Sequence, residues 1–433
     1  MLKRKIYNDL VSWKNTPSHK PLIVRGARQI GKTYVIDLFC KENYENYVNV
    51  NFFERPDFAT IFEGELTAES IFKRITLFFP KNDFSKGKSV VFLDEIQQCP
   101  NARTALKFLN QNPYFDVVCS GSMLGIHYND VKSYPVGQVD YLDMYSLSFE
   151  EFLWANGYSQ ENILDLKEEY YLAPKPLPEG LHNRFMELFK EFIIVGGMPN
   201  VVWQFVNNHD FRQVRILQKA ILDDYLDDIA KYADKKEKTK ARSCFLSIPR
   251  HLSHDYKKFR YSLVEARGTS SKFGGSLMWL YDAGYINFCH NLELIASPLR
   301  AYSREDVFKV YMKDTGLLVA MLDEDTPQKI ISGDLSLYKG ALFENIIADI
   351  LAKNGRDLYY FEYKSQLELD FIIKLNGKVT AVEVKSSLNV KSKSMKSALE
   401  NHNVEQGVLL STRNVEIASE NVLRLPLYMA MFL

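Results

Sequence analysis

The stretch "GARQIGKT" (26–33) sets two glycines and a Lys-Thr pair in the spacing GxxxxGK[ST]. The chemistry that this spacing serves is phosphate binding. Gly26 and Gly31 let the chain curl, so that the backbone N–H groups of Ala27, Arg28, Gln29 and Ile30 can face an anion. Lys32 brings a point charge to the β- and γ-phosphates, Thr33 offers its hydroxyl to magnesium, and the following helix adds the positive end of its dipole. "VVFLDEIQ" (90–97) is the partner signal. Its apolar run ends in Asp94, expected at a strand's C-terminal edge facing the magnesium, and Glu95 is placed to polarise an attacking water. "CSGSM" (119–123) ends another expected strand beside the first. There, Ser120 or Ser122 can sense the γ-phosphate or hold the water, and a plain small-residue turn reads the same.

A second constellation lies in "LELDFIIKLNGKVTAVEVKSS" (367–387), two expected strands joined by an Asn-Gly turn. Asp370 falls on the first strand, and Glu383 and Lys385 share a face of the second. Glu344 lies on an earlier helix, from which its carboxylate can reach the same face. In a phosphodiester-cleaving site, Asp370 and Glu383 bind magnesium. Glu344 completes or orients the shell through water, and Lys385 positions the nucleophile or stabilises the charged transition state. The triplet Glu-x-Lys alone is weak: Asp130/Lys132, Asp165/Lys167, Asp234/Lys236, Asp255/Lys257 and Glu362/Lys364 repeat the spacing. The plain alternative is a fold that keeps these charges for structure, or for binding without cleavage. Lys391, Lys393 and Lys396 add positive charge nearby, suited to a polyanion or equally to an exposed loop.

These residues need a scaffold. Short apolar runs "PLIVRG" (21–26), "YVNVNF" (47–52), "VVFLDE" (90–95), "DVVCSGS" (116–122) and "VDYLDMYSL" (139–147) alternate with helical stretches such as "ARTALKFLNQ". That alternation predicts a parallel sheet covered by helices. Residues 150–235 read as helical, with a Pro-rich surface connection at 171–180. Residues 240–295 have the order helix, helix, two-stranded wing, and 305–335 read as a bridge. From Tyr338 onward the pattern is helix, strand, the Asp370 hairpin, helix and strand, a small α/β unit.

Composition sets outer bounds. The chain has 433 residues, with 54 basic and 54 acidic side chains, enough for two or three domains and with no net charge to name a partner. From Lys231 to Lys272 twelve Lys or Arg stand against four Asp or Glu. That excess attracts nucleic acid in one reading and is a solvated helical face in the other. In the first reading, Lys257, Lys258, Arg260, Arg267 and Lys272 meet DNA phosphates beside a recognition helix. The cysteines (Cys40, Cys99, Cys119, Cys244, Cys289) form no CxxC pair, which argues against zinc and against a disulfide framework. The N-terminus lacks the apolar run of a signal peptide, and no stretch of about 18 apolar residues exists to span a membrane. A reducing cytoplasm is the simplest compartment.

Taken together, "GARQIGKT", "VVFLDEIQ", "SGSMLG", "YSLSFEEFL" and "IIVGGMP" resemble a prokaryotic AAA-type ATPase family. Its members join a P-loop domain to a C-terminal domain of unknown function with a PD-(D/E)XK nuclease-like core. "VYMKDTGLL" (310–318), "KGALFENIIA" (339–348) and "ELDFII…AVEVKS" resemble that C-terminal part, so the likeness covers nearly the whole chain. The resemblance implies ATP, magnesium and a helical or winged-helix middle. One departure is "PVGQVDYL", where Gln138 stands at a position usually basic. Arg28, Arg103 or an arginine from a neighbouring subunit of an oligomer would then serve the phosphates. The expected architecture is α/β: a P-loop NTPase (AAA-like) parallel sheet in 1–155, a helical and winged-helix region in 156–300, and a bridge plus restriction-endonuclease-like α/β domain in 301–433. Two functions fit. ATP gates DNA engagement or cleavage by the C-terminal domain, or a slow nucleotide switch acts on a protein partner through a non-catalytic docking module.

Overall fold

The computed structural model describes residues 2–122, 137–232, 237–254, 257–334, 338–363, 367–386, 393–419 and 421–433. The end of "SGSMLG" from Met123, Lys391, and the pairs Asp130/Lys132 and Asp234/Lys236 lie outside the described residues, as do Asp255 and Lys364. The chain forms two compact units. One holds Lys3–Ser146 and Asp282–Gly284; the other holds Leu147–Tyr281 and Tyr285–Leu433.

The first unit is built on strands β1 (Leu22–Arg25), β2 (Asn46–Asn51), β3 (Ser89–Asp94), β4 (Asp116–Gly121) and β5 (Asp140–Asp143). They pair in parallel in the order β2-β3-β4-β1-β5. Strands β3 and β4 are buried along their whole length, which is why both read as unbroken apolar runs rather than alternating ones. Val48, Val50, Leu93, Val117 and Cys119 form a core with Ile71 and Ile75 of the helix Ala68–Phe78. The run "VDYLDMYSL" supplies a strand only over Asp140–Asp143. Its tail instead leads into the helix Phe149–Ala155 of the second unit, where Ser148 and Glu151 form a reciprocal capping box: the Ser148 Oγ accepts from the Glu151 N–H at 3.3 Å and the Glu151 carboxylate accepts from the Ser148 N–H at 2.8 Å. That box is the physical content of "SFEE".

The second unit carries a helical part and one eight-stranded sheet. Its strands are β6 (Ile286–Leu292), β7 (Ser303–Met312), β8 (Tyr359–Tyr363), β9 (Leu367–Leu375), β10 (Lys378–Val384), β11 (Gln406–Ser411), β12 (Glu416–Ser419) and β13 (Val422–Pro426). The order is β12-β13-β11-β10-β9-β8-β6-β7. Helices Lys238–Leu252, Tyr261–Val264 and Ser270–Asp282 precede the antiparallel pair β6–β7, and Lys258 bridges to Lys309 of β7. The three-part division expected from sequence does not coincide with these units. Residue 300 falls between β6 and β7, which pair along their length, and β6 joins β8 through His290↔Tyr359. The expected bridge at 305–335 is therefore largely strand β7 and two short helices, Thr315–Ala320 and Thr326–Ser332. The hairpin β9–β10 turns through Asn376 (φ 50°) and Gly377 (φ 83°), the double left-handed pair that a two-residue turn of this hand requires. The helix Lys339–Lys353 is buried along eleven of its residues and packs on β6, β7 and β10.

Candidate functional site

Strand β1 delivers the chain to Gly26, whose φ of +153° excludes a side chain; a Cβ there would collide with the Met144 carbonyl oxygen and lie 2.6 Å from Ile30 Cδ1. Gly31 caps the helix Lys32–Asn43 with φ +87°, and Gln29 also takes a positive φ of 63°. Arg4, buried, holds the loop from behind: Nη1 donates to the Ile30 carbonyl at 2.8 Å and Nη2 to the Tyr145 carbonyl at 2.6 Å. The Lys32 ammonium folds back onto the loop, donating to the carbonyls of Gly26 (3.0 Å) and Ala27 (2.7 Å). Burial lowers its pKa to about 8 against the opposing pull of Glu95 and Asp94.

Asp94 ends β3 as the centre of a hydrogen-bond set. Its Oδ1 accepts from Thr33 Oγ1 (3.1 Å) and from the Ser120 hydroxyl, and its Oδ2 accepts from Asn51 Nδ2 (3.1 Å). Burial raises the Asp94 pKa and the neighbouring Glu95 charge adds to it, while the bonds from Ser120 and Thr33 oppose. Glu95 follows in the left-handed region (φ 54°), a conformation that costs about 1–2 kcal/mol for a residue with a Cβ. Its Oε2 accepts from the Gln97 amide and from Ser122 Oγ (3.4 Å), and Arg28 Nε donates to the same Ser122 hydroxyl (3.4 Å). The two serines thus divide the work: Ser120 serves Asp94, and Ser122 joins Glu95 to Arg28. Arg103 is buried on the helix Pro100–Leu109, and Gln138 accepts from Asn110 Nδ2 at 2.6 Å. Arg4 and Asn51 carry no signal in the motif spacing, and Gln97, the last residue of "VVFLDEIQ", has no role assigned there. Asn51 becomes visible only through the β2–β3 register, which sets it opposite Asp94.

In the second unit Glu344 and Asp370 lie close enough to interact electrostatically, and each also has protein partners. Glu344 Oε1 takes the Lys257 ammonium, and Oε2 accepts from the Tyr311 hydroxyl at 3.2 Å with the Lys309 ammonium 3.9 Å away. Lys309 is only 1% exposed, bonds Glu368 Oε1 at 2.8 Å, and lies 4.7 Å from the Tyr360 ring centre. Burial disfavours its charge, yet Glu344, Glu368 and Asp370 outweigh that and hold it above its ordinary value. Asp370 Oδ2 accepts from the Val384 N–H at 2.8 Å; burial and the Glu344 charge raise its pKa to about 7. Glu383 pairs with Lys385. Among the described residues no group of three or more His, Cys, Asp or Glu is gathered to hold a metal ion. Lys309, Tyr311 and Glu368 were not singled out by spacing; the available signal was a lysine set inside the apolar run "VFKVYM".

The basic middle segment is partly neutralised. Besides Lys257, Lys258 pairs with Glu362 at 2.7 Å and Lys272 with Glu265 at 2.7 Å, while Arg260 and Arg267 stay exposed. All five cysteines are free and buried. No helix among the described residues is long and apolar enough to cross a membrane.

The parallel sheet, the curled glycine loop and the Thr33–Asp94 pair define the first unit as a nucleotide-binding α/β domain of the P-loop ATPase class. Residues 18–153 match the family model described as an AAA domain. Residues 186–328 and 339–428 match two models described as domains of unknown function, DUF8612 and DUF4143. The chain has no match among curated proteins. Among solved structures it is similar to the Walker-type ATPase paby2304 of Pyrococcus abyssi at 13% identity, covering 74% of this chain and 96% of that one, with a TM-score of 0.44. It is also similar to the Aeropyrum pernix ORC1 protein solved in complex with DNA (13% identity, 77% and 93% covered, TM-score 0.31). The Thermotoga maritima RuvB Holliday junction branch migration motor is a third (11% identity, 66% and 89% covered, TM-score 0.29).

Proposed function

We propose that the protein is a magnesium-dependent ATPase whose nucleotide state governs its second unit. The observation that carries this reading is the direct bond from Thr33 to Asp94, with Glu95 next in the chain. A hydroxyl and a carboxylate side by side are a hard oxygen donor pair of the kind magnesium takes, so the residues fit the ion. Thr33 and Asp94 would hold the ion, which would supply charge neutralisation to the phosphates. The chain's own residues do the rest. The Lys32 ammonium exchanges its two loop carbonyls for phosphate oxygens. Glu95 takes the water's proton once its carboxylate leaves Gln97, and Ser122 passes from Glu95 to the γ-phosphate. Arg28, already on Ser122, is the cis cation best placed to accompany that move. Phosphate release measured with Lys32→Ala and Glu95→Gln tests the reading: Lys32→Ala abolishes ATP binding and turnover, and Glu95→Gln keeps ATP binding while turnover falls by about 10²–10⁴-fold.

For the second unit we read helices Lys238–Leu252 and Ser270–Asp282 with the β6–β7 pair as a winged helix, and β8–β11 with the helix Lys339–Lys353 as a restriction-endonuclease-like core. What supports the core is its order: a long helix, an antiparallel hairpin, and β11 parallel to β10. On one reading this unit engages or cuts DNA. On the second it is a docking module for a partner and does not cut. The pairing of Lys257, Lys258 and Lys272 with carboxylates favours the second, because it withdraws cations from phosphate contact. Salt-titrated DNA binding separates them: a steep loss of affinity with salt supports DNA contact, and absence of binding supports docking.

A further inference from the structure

We infer that lysine, rather than a metal ion, closes the Glu344–Asp370 site, with Lys309 and Lys257 as built-in counter-ions of the carboxylates. The inference rests on the docking reading of the second unit and deepens it. Four observations converge. Both Glu344 oxygens are engaged, Oε1 by Lys257 and Oε2 by the Tyr311 hydroxyl at 3.2 Å. Asp370 spends one oxygen on a backbone N–H of β10. Glu383, the other expected ligand, is turned to Lys385. Lys309 is a fixed part of the strand interior at 1% exposure, with Glu368 and Glu344 around its ammonium and a tyrosine ring under it. A divalent ion placed among these carboxylates would meet a buried ammonium that cannot retreat to water, and like charges at such range in a poorly solvated site repel strongly. The two lysines also differ. Lys309 is locked, whereas the Lys257 side chain is 17% exposed and enters from the segment that bridges to β7. Lys257 is therefore the removable half of the plug.

The same cluster has a structural consequence. It ties β7 and the 257–258 segment to β9 and to the helix Lys339–Lys353. The winged-helix part and the α/β part are thus cross-linked by charge inside one sheet.

The test is manganese binding by electron paramagnetic resonance on the full chain without nucleotide, with melting temperature recorded with and without chelator. Wild type and Asp370→Asn are expected to take up the same manganese, and chelator to leave both melting temperatures unchanged. Lys257→Met keeps the aliphatic stem and removes the charge; it is expected to gain manganese affinity by about tenfold or more, a gain lost again in Lys257→Met/Asp370→Asn. A manganese site in wild type that Asp370→Asn removes overturns the inference, whatever Lys257→Met does. So does Lys257→Met that folds and binds no more manganese than wild type. ATP turnover read on the same samples keeps the two claims apart: a wild type that hydrolyses ATP and binds manganese through Asp370 retains the ATPase reading and loses this one.

Discussion

Thr33 and Asp94, 61 residues apart in sequence, meet through a 3.1 Å hydrogen bond from the threonine hydroxyl to the carboxylate Oδ1. The helix that starts at Lys32 and the strand that ends at Asp94 are thereby tied together. Asn51 and Ser120, from the strands on either side of β3, donate to the same carboxylate, Ser120 to Oδ1 and Asn51 to Oδ2. A carboxylate fixed by three neighbours is oriented in advance for its ligand, which lowers the reorganisation needed on binding.

Removing the support on one side has a graded effect. Asn51→Ala deletes the bond to Asp94 Oδ2 and leaves Asp94 and Asn51's other partners, Phe53 N–H and Glu54 N–H, to water. The expected cost is about 1 kcal/mol of stability, with magnesium-dependent turnover reduced less than in Glu95→Gln. Urea unfolding and steady-state phosphate release on both variants check the order.

The Lys32 ammonium makes nucleotide binding pH-dependent. Burial leaves it titrating near 8 in the free protein, and a triphosphate restores its charge. Above that pH the free protein holds Lys32 neutral, so ATP binding takes up a proton, and affinity weakens as pH rises. Calorimetric titrations at pH 7 and pH 9, in buffers of different ionisation enthalpy, are expected to show proton uptake only at the higher pH.

Gly26 has a steric duty as well as a conformational one. Gly26→Ala drives a methyl group into the Met144 carbonyl and the Ile30 side chain at a positive φ. The expected outcome is a loss of about 2 kcal/mol or more, with the phosphate loop displaced. Thermal melts and a fluorescent-nucleotide titration register both effects.

Asp349, buried against Lys353, has its pKa raised from 3.8 to about 7 by burial, with Lys353 opposing. Its folded value lies above its unfolded one, so between the two the unfolded chain binds fewer protons. Stability from this group is full below 3.8 and falls as pH rises towards 7. Asp349→Asn is expected to flatten that part of the stability profile, read as melting temperature from pH 4 to 8.

The phosphate loop and Asp94 were legible in the sequence because their information is local: a fixed spacing after one apolar run, an acid at the end of another. The Asn376-Gly377 hairpin was legible for the same reason. Arg4 and Asn51 were not, since each acquires its partner only when distant segments pair, Arg4 with Ile30 and Tyr145, and Asn51 with Asp94 through strand register. The division of the second unit was hidden by the parallel pairing of β6 with β8, residues 290–292 with 359–361, which fuses the hairpin after the helices to the sheet that follows. Lys309 escaped notice because a lysine within an apolar strand reads as an exposed edge residue until three carboxylates are seen around it. Sequence spacing shows which acids can meet, but not which bases lie beside them, so the lysine partners of Glu344 and Glu368 were not legible.

The central claim is ATP turnover at the Thr33–Asp94–Glu95 site. Phosphate release by the full chain with ATP, with and without magnesium, tests it most directly when wild type is run beside Lys32→Ala and Glu95→Gln. Magnesium-dependent release is expected in wild type, none in Lys32→Ala, and in Glu95→Gln retained ATP binding with kcat lowered by about 10²–10⁴-fold. Release that persists unchanged in Lys32→Ala, or wild type that binds no ATP, contradicts it.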